Sequence, residues 1–162
     1  MVTGQAPHKE IAADPGREAR MAMARLAAAE DAHFEASSLE VDREGPSYAY
    51  ETLEQLAESE GDTELVWLMG ADAALGLESW REPRRVVELA RLGIARRDDV
   101  PATEIHDVLG RLGAPGAATV VDMPRFAVSS TLVRQRAAEG RPLRYLAPDS
   151  VAEYITENGL YR

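Results

Sequence analysis

The stretch that decides the fold is Leu65-Val66-Trp67-Leu68-Met69-Gly70-Ala71-Asp72. An uninterrupted apolar run that ends at a glycine is typical of a buried strand in a parallel sheet. In open α/β sheets, ligands bind beyond the carboxyl ends of the strands. The turn Gly70-Ala71-Asp72 is therefore a candidate binding position.

Helical and strand-like patterns alternate on both sides of this stretch. Asp14-Pro15 predicts the start of a helix that runs to about Glu30, because a cap residue precedes proline in the first turn. The other predicted elements are a strand over 34–41, helices over 47–59 and 83–92, a strand over 93–95, a helix over 102–112, a strand over 118–121, and helices from Ser129 and Ser150. This alternation predicts a doubly wound α/β sheet, mainly parallel, in a single domain over residues 1–162.

Composition limits the classes of function. The chain has 162 residues, 45% hydrophobic and 28% charged, which is typical of a globular domain with a sizeable core. The absence of cysteine excludes disulfides and thiolate metal sites. A net charge of −10 argues against general binding to nucleic acid, although a small phosphorylated ligand needs only a local basic pocket. We find no membrane-length apolar run and no signal-peptide pattern, and expect a cytoplasmic protein without a membrane partner.

A candidate anion site lies in Val128-Ser129-Ser130-Thr131-Leu132-Val133-Arg134. Backbone N–H groups and the helix dipole at a helix start favour negative charge. An arginine one turn further on adds a charge-assisted fork for phosphate oxygens. Serine and threonine also cap helices for stability alone, so the motif by itself leaves both interpretations open.

Several segments form a larger pattern in a fixed order. They are Thr3-Gly4-Gln5-Ala6-Pro7-His8-Lys9, Arg20 with Met23, Gly45-Pro46-Ser47-Tyr48-Ala49, Gly70-Ala71-Asp72-Ala73 with Trp80, Ser129-Ser130-Thr131-Leu132-Val133-Arg134, Tyr145-Leu146-Ala147-Pro148-Asp149 and Glu157-Asn158-Gly159-Leu160-Tyr161. In this order the segments resemble the bacterial nicotinate-nucleotide adenylyltransferases along nearly the whole chain. No single motif is decisive, whereas the ordered set is specific.

The resemblance implies a Rossmann-like nucleotidyltransferase fold and a transferase of pyridine nucleotide biosynthesis. The reaction it implies is adenylyl transfer from ATP to nicotinate mononucleotide, which yields deamido-NAD and pyrophosphate in NAD biosynthesis. Such transfer needs positioning and charge neutralisation more than covalent chemistry. Mg²⁺, bound mainly through phosphates and water, is the expected cofactor, and no protein-held metal site is predicted.

The resemblance also implies which residues bind which substrate. The ATP-binding residues would be Gly70, Asp72, Ser129, Ser130 and Arg134. The residues for the nucleotide acceptor would be Thr3, His8, Lys9, Tyr48, Ala49 and Trp80. A glycine lets a ligand approach the backbone closely, and an indole offers a flat face for the pyridine ring. Each assignment has a structural alternative, such as a helix cap for Asp72 or a core position for Trp80.

This sequence departs from the family pattern in three places. The family begins with a strand, a turn carrying His-x-Gly-His and a helix; none of these is present, so the catalytic residues stay unassigned. The histidines His8, His33 and His106 do not form that pair. We therefore expect the sequence to be an incomplete version of a longer protein. Ala49 stands where the family usually has threonine, and Arg96-Arg97-Asp98 replaces Arg-Pro-Gly.

Two alternatives to the full enzyme stay open at the level of sequence. One is a catalytically impaired nucleotide-binding fragment or module, which the missing histidines favour. The other is a related adenylyltransferase with another acceptor, such as a nicotinamide nucleotide or a pantetheine phosphate. The Trp80 position and the Gly-Pro-Ser-Tyr and Pro-His-Lys segments favour the nicotinate acceptor. A homo-oligomer is compatible with all of these.

Overall fold

The computed structural model of the chain describes residues 2–4, 14–96, 100–124 and 126–162. The chain divides into two compact units. We call Met1–Ser47 with Ala127–Arg162 the terminal unit, and Tyr48–Phe126 the sheet unit. The single domain expected over 1–162 stays a prediction.

The described residues include seven α-helices and three strands. In chain order they are α1 (Arg17–Ala28), α2 (Ala49–Glu60), β1 (Val66–Gly70), α3 (Ala71–Leu75), α4 (Pro83–Leu89), β2 (Arg91–Arg96), α5 (Ala102–Arg111), β3 (Ala118–Asp122), α6 (Ser130–Ala138) and α7 (Asp149–Glu157), with a 3-10 turn at Leu77–Ser79 between α3 and α4. Across these ranges, no helix is both long enough and apolar enough to cross a membrane.

The sheet unit contains a parallel sheet with the strand order β1-β2-β3. Met69 lies beside Ile94, and Ile94 lies beside Val120, so one face presents a continuous apolar row. Helices α2 to α5 and the 3-10 turn pack on this face, with Leu53, Leu77, Val86, Ile105 and Leu109 buried among the core residues. This confirms the predicted parallel α/β class.

The opposite face of the sheet is apolar and open. Val66, Leu68 and Val121 have 54%, 80% and 52% of their surface exposed. The expectation of a strand buried on both faces is therefore wrong for β1, whose Met69 is buried while Val66 and Leu68 are exposed. An apolar run is compatible with either arrangement, because it lacks the alternation that identifies a solvated face.

The terminal unit has a separate, smaller core. Ala137 of α6, Leu143, and Val151 and Ile155 of α7 are buried together. Met23 and Leu26 of α1 pack against this cluster. Helix α1 thus contributes the side chains of Met23 and Leu26 to this core.

The strand predicted over 34–41 is absent, and that prediction is wrong. Residues 34–38 have no regular secondary structure, and residues 39–41 are a turn. The serine hydroxyls there bond locally: Leu39 N–H donates to Ser37 Oγ (3.4 Å), and Ser38 Oγ–H donates to Asp42 Oδ2 (2.7 Å). Such local bonds compete with a sheet ladder.

Two helix boundaries also differ from those predicted. The helix predicted over 83–92 ends at Leu89 because Ala90 is extended and Arg91 N–H donates to Leu65 O (2.9 Å), which starts β2. Ser47 does not cap α2, whose N-cap is Tyr48. Instead, Ser47 Oγ accepts the N–H of Gly4 (3.1 Å).

Two leucines test which face of the sheet unit holds the core. Leu77→Ala should lower the free energy of unfolding by about 2–5 kcal/mol, since it leaves a cavity at a fully buried position. Leu68→Ala should change it by less than about 0.5 kcal/mol, because this side chain is largely exposed. Urea unfolding of both variants measures the difference. Equal losses would contradict the one-sided core.

Candidate nucleotide-binding site

The start of α6 is capped by a side chain, as the Ser-Ser-Thr motif predicts. Ser129 is the N-cap, and its Oγ accepts the N–H of Leu132 (3.2 Å). Ser130 and Thr131 lie in the first turn, where backbone N–H groups have no carbonyl partner within a helix. Among the described residues of this first turn none is acidic. The structural role of Ser129 therefore coexists with an end of the helix that favours an anion.

A cavity of about 290 Å³ opens beside this helix start. It is lined by Met23, Val128, Ser129, Ser130, Val133, Arg134, Leu146, Val151, Ile155 and Tyr161. Arg134 Nη2–H donates to Thr131 Oγ1 (3.3 Å), which holds the guanidinium close to the first turn. The terminal unit thus brings three of the predicted ATP-binding residues to one cavity with a polar end and an apolar wall.

Tyr161 contributes a phenol to the same cavity. Burial raises the pKa of Tyr161 above its ordinary value, and the nearby Arg134 guanidinium acts in the opposite direction. The phenol therefore stays neutral and can donate a hydrogen bond near neutral pH.

Gly70 and Asp72 lie at the carboxyl end of β1, in the sheet unit. Gly70 is both the last residue of the strand and the N-cap of α3. A Cβ atom at Gly70 would meet no atom within 4 Å among those described, so the backbone there borders open space. Asp72 is exposed in the first turn of α3. Both residues thus occupy the edge where α/β sheets bind ligands.

Trp80 is half-buried and packs against the core of the sheet unit. Its backbone N–H donates to Leu77 O (3.0 Å) at the end of the 3-10 turn. The backbone that carries the indole is therefore held at the end of this turn. Trp67, which we expected in the core, is also half-buried against the same cluster.

An aromatic and cationic cluster adjoins the start of α2, and sequence reasoning missed most of it. The Tyr48 and Tyr50 ring centroids are 6.3 Å apart with an interplanar angle of 28°. The guanidinium carbon of Arg81 lies 5.3 Å from the Tyr48 centroid. Ala49, the first residue of α2, adds no polar side-chain group. The sequence signal that could have pointed to Arg81 as part of this cluster is its position directly after Trp80.

Glu51 completes this cluster. Tyr50 Oη–H donates to Glu51 Oε1 (3.0 Å), and this hydrogen bond raises the pKa of the Tyr50 phenol. Arg81 acts on the same pKa in the opposite direction. The phenol is thus poised between a carboxylate and a cation and keeps its proton at neutral pH.

Arg20 of α1 holds the segment that contains Thr3. Its Nη1–H donates to Thr3 O, and its Nη2–H donates to Gly4 O (3.0 Å). Its Nε lies 3.2 Å from Asp14 Oδ1, an ion-pair contact without hydrogen-bond alignment. A Cβ atom at Gly4 would clash with the backbone oxygen of Glu40, so only glycine fits there. The predicted substrate residues His8 and Lys9 lie outside the described residues.

The described histidines, His33 and His106, are surface residues. His33 Nδ1 lies 2.7 Å from Asp31 Oδ1, and His106 Nδ1 lies 2.8 Å from Ala102 O. Within the described part of the chain, no group of three or more His, Cys, Asp or Glu side chains could hold a metal ion. Arg96, at the start of the unusual Arg-Arg-Asp segment, pairs with Asp122 (2.6 Å) at the carboxyl edge of the sheet. Arg97 and Asp98 lie outside the described residues.

Comparison with known proteins identifies the class of this fold and site. A family model described as cytidylyltransferase-like matches residues 2–136, which makes the chain a nucleotidyltransferase. A protein of Roseiflexus sp. strain RS-1 named "Probable nicotinate-nucleotide adenylyltransferase" is 45% identical over 90% of this chain and 72% of its own length. A protein of the same name from Mycobacterium avium is 40% identical over 90% of this chain and 69% of its own length. The chain belongs to the nicotinate-nucleotide adenylyltransferase family.

Solved structures confirm the Rossmann-like nucleotidyltransferase fold. The Plasmodium falciparum nicotinic acid mononucleotide adenylyltransferase complexed with NaAD matches 98% of this chain and 78% of its own, with a TM-score of 0.68 and 14% identity. The same enzyme complexed with APC matches 91% and 76%, with a TM-score of 0.66 and 13% identity. At these identities the likeness concerns the fold.

Gly4→Ala tests whether the Thr3 segment is held as described. The added Cβ clashes with backbone at Glu40, so we expect the segment to leave its place and lose the Gly4 N–H bond to Ser47. Hydrogen exchange of the amide at position 4, followed by NMR, should accelerate at least about tenfold. Gly116→Ala is the control, since a Cβ there meets nothing described within 4 Å. Unchanged exchange in Gly4→Ala would contradict the arrangement.

Proposed function

We propose that the chain transfers the adenylyl group of ATP to nicotinate mononucleotide and forms deamido-NAD and pyrophosphate. The observation that carries the proposal is the cavity at the start of α6, where Ser129, Ser130 and Arg134 converge. Membership of the family supports the same reaction. This activity places the chain in NAD biosynthesis.

In this reaction a phosphate oxygen of nicotinate mononucleotide attacks the α-phosphorus of ATP. A new phosphorus–oxygen bond forms, the bond to the β-phosphate bridging oxygen breaks, and pyrophosphate leaves with the bond electrons. Arg134 and the N–H groups of the first turn of α6 would bind phosphate oxygens, since both favour negative charge. These groups are assigned to binding and positioning. The role of Tyr161 would be to donate a hydrogen bond in the same cavity.

We assign residues of the sheet unit to binding the adenosine of ATP and the pyridine ring of the acceptor nucleotide. Gly70 and Asp72 would contact the adenosine end of ATP, with the carboxylate accepting from sugar hydroxyls. Trp80 and Tyr48 would flank the pyridine ring, for which an aromatic pair adds roughly 0.5–1.5 kcal/mol beyond area burial.

Thr3, His8 and Lys9 are assigned to the acceptor nucleotide, with His8 and Lys9 beside its phosphate. Two of these residues can carry a positive charge, which suits a phosphate monoester. Arg20 supports the assignment of Thr3 because it fixes that segment through two carbonyl groups.

The direct experiment measures pyrophosphate release from ATP, Mg²⁺ and nicotinate mononucleotide. It compares the 162-residue chain with a version extended at its N-terminus. Turnover by either version supports the proposal, and turnover by the extended version alone makes the added segment necessary. Nucleotide binding without turnover in both would favour the binding module instead. Turnover only with a nicotinamide or pantetheine nucleotide would favour another acceptor.

Arg134→Gln should raise the KM for ATP by about 10- to 100-fold, because hydrogen bonds to charged groups are worth roughly 1.5–3 kcal/mol. Arg25→Gln is a matched control, since Arg25 is exposed in the last turn of α1. Steady-state kinetics at saturating acceptor give the comparison. A KM for ATP that both substitutions leave unchanged would remove Arg134 from the ATP site.

Chelation of Mg²⁺ by excess EDTA should abolish pyrophosphate release, and added Mg²⁺ should restore it. Mg²⁺ would enter with ATP as part of the substrate, held by phosphates and water. Thermal unfolding without nucleotide should be the same with and without EDTA. Undiminished turnover in EDTA would show that transfer needs no divalent cation.

A further inference from the structure

A second cavity lies in the terminal unit, between the loop that follows α6 and helix α7. Its volume is about 600 Å³, which is within the range typical of small-molecule sites. Of its described lining residues, only Ile155 also lines the cavity at the start of α6. The proposed function assigns no substrate to this second cavity. Its apolar lining consists of Ala137, Pro142, Leu143, Ala152, Ile155 and Leu160.

The loop that forms one wall of the second cavity is held by hydrogen bonds. Arg136 donates to Pro142 O from both Nε (3.0 Å) and Nη2 (2.8 Å). Arg141 N–H donates to Arg136 O (2.8 Å), and Leu143 is buried in the core of the terminal unit. A ligand would therefore meet a wall that is already ordered, which lowers the entropic cost of binding.

The two walls of the second cavity carry opposite charges. The α7 wall presents Asp149, Glu153 and Glu157, which share one face of the helix because they are four residues apart. The loop wall presents Arg141 and Arg144. Among the described residues, no ion pair joins these carboxylates to these guanidinium groups. The opposite charges of the walls therefore do not neutralise each other across the cavity.

An exposed tyrosine orients the guanidinium of Arg144. The guanidinium carbon lies 5.0 Å from the Tyr145 ring centroid. Tyr145 has a φ of 67°, a left-handed conformation that is costly for a residue other than glycine, and 86% of its surface is exposed. Arg141, in contrast, donates from Nη1 to Glu139 Oε2 (3.2 Å). Arg144 is therefore the cation that we assign to a ligand.

A ligand that matches this cavity has an anionic group, an apolar body and a cationic group. Arginine binds phosphate oxygens through charge-assisted hydrogen bonds, whereas carboxylates attract a cation and accept hydrogen bonds from sugar hydroxyls. A nucleotide with a pyridinium ring combines these features, because its ring nitrogen carries a fixed positive charge and its phosphate is negative. The flat ring can cover the apolar side chains. A purine nucleotide lacks the fixed positive charge.

We propose that this cavity is a second binding site, separate from the site of adenylyl transfer, for a pyridinium mononucleotide with an uncharged ring substituent. Arg144 binds its phosphate, and Glu153 faces its cationic ring. A ring carboxylate weakens binding, because the carboxylates of α7 repel it. The choice of a pyridinium rests on the proposed function, which brings this class of nucleotide to the chain.

Titration of the isotope-labelled 162-residue chain with nicotinamide mononucleotide, without ATP, tests the site by NMR. The amides over 140–144 and 152–157 should shift and reach saturation. Adenosine monophosphate lacks the ring cation and nicotinamide riboside lacks the phosphate, so each should bind at least about threefold more weakly. Nicotinate mononucleotide should also bind more weakly. Equal affinity for all of these compounds would overturn the match between the ligand and the charged walls.

Arg144→Gln and Glu153→Gln should each weaken the binding of nicotinamide mononucleotide at least about threefold, since each removes one charged contact. Both residues are exposed, so thermal unfolding should be unchanged. Glu18→Gln and Arg25→Gln are matched controls, because these residues are exposed on α1 and line neither cavity. Undiminished affinity in both test variants would overturn the inference.

The positions of the shifted amides separate this inference from the proposed function. Shifts over 140–144 and 152–157 support the second site even if the chain releases no pyrophosphate. Shifts confined to the amides of Tyr48, Ala49 and Trp80 overturn the second site and support the acceptor site of the proposed function. The absence of any shift overturns the second site, and pyrophosphate release then decides the proposed function by itself.

Discussion

The parallel pairing of β2 with both of its neighbours is the interaction on which the sheet unit depends. It places Met69, Ile94 and Val120 in one row, against which the helices bury their apolar faces. Because all three strands run the same way, their carboxyl ends share one edge. Gly70 therefore opens at the same edge as the Arg96–Asp122 ion pair. Burial of the core and placement of the ligand-facing turn are two results of one hydrogen-bond register.

Local sequence patterns predict much of the fold and part of the candidate site. The apolar run over 65–69 predicts β1 because a continuous run of apolar residues is typical of a strand in a parallel sheet. Ser129 predicts the cap of α6 because its hydroxyl reaches a nearby backbone N–H. The same run does not indicate whether one or both faces of the strand are covered by other elements. The serines at 37 and 38 show a second limit, since their local bonds outweigh the apolar residues around them.

Long-range side-chain contacts account for what the sequence could not predict. The approach of Arg81 to Tyr48 joins positions far apart in the chain, and no periodicity encodes it. The contact of Gly4 with Glu40 is similar, because a turn glycine and a packing glycine look alike in a sequence. The family pattern supplies candidates such as Trp80, whereas the contact of Arg81 with the Tyr48 ring comes from the three-dimensional arrangement.

The open apolar face of the sheet favours association between molecules of this protein, whereas the net charge of −10 opposes it. Burial of the apolar surface formed by Val66, Leu68 and Val121 would lower the free energy of two associating molecules. The negative charge that both molecules carry repels them from each other. Salt weakens that repulsion beyond about 10 Å at 0.1 M ionic strength, and does not weaken the attraction between apolar surfaces. The colloidal behaviour of concentrated solutions is therefore governed by ionic strength, with dilute buffer favouring dispersed molecules and concentrated salt favouring clusters.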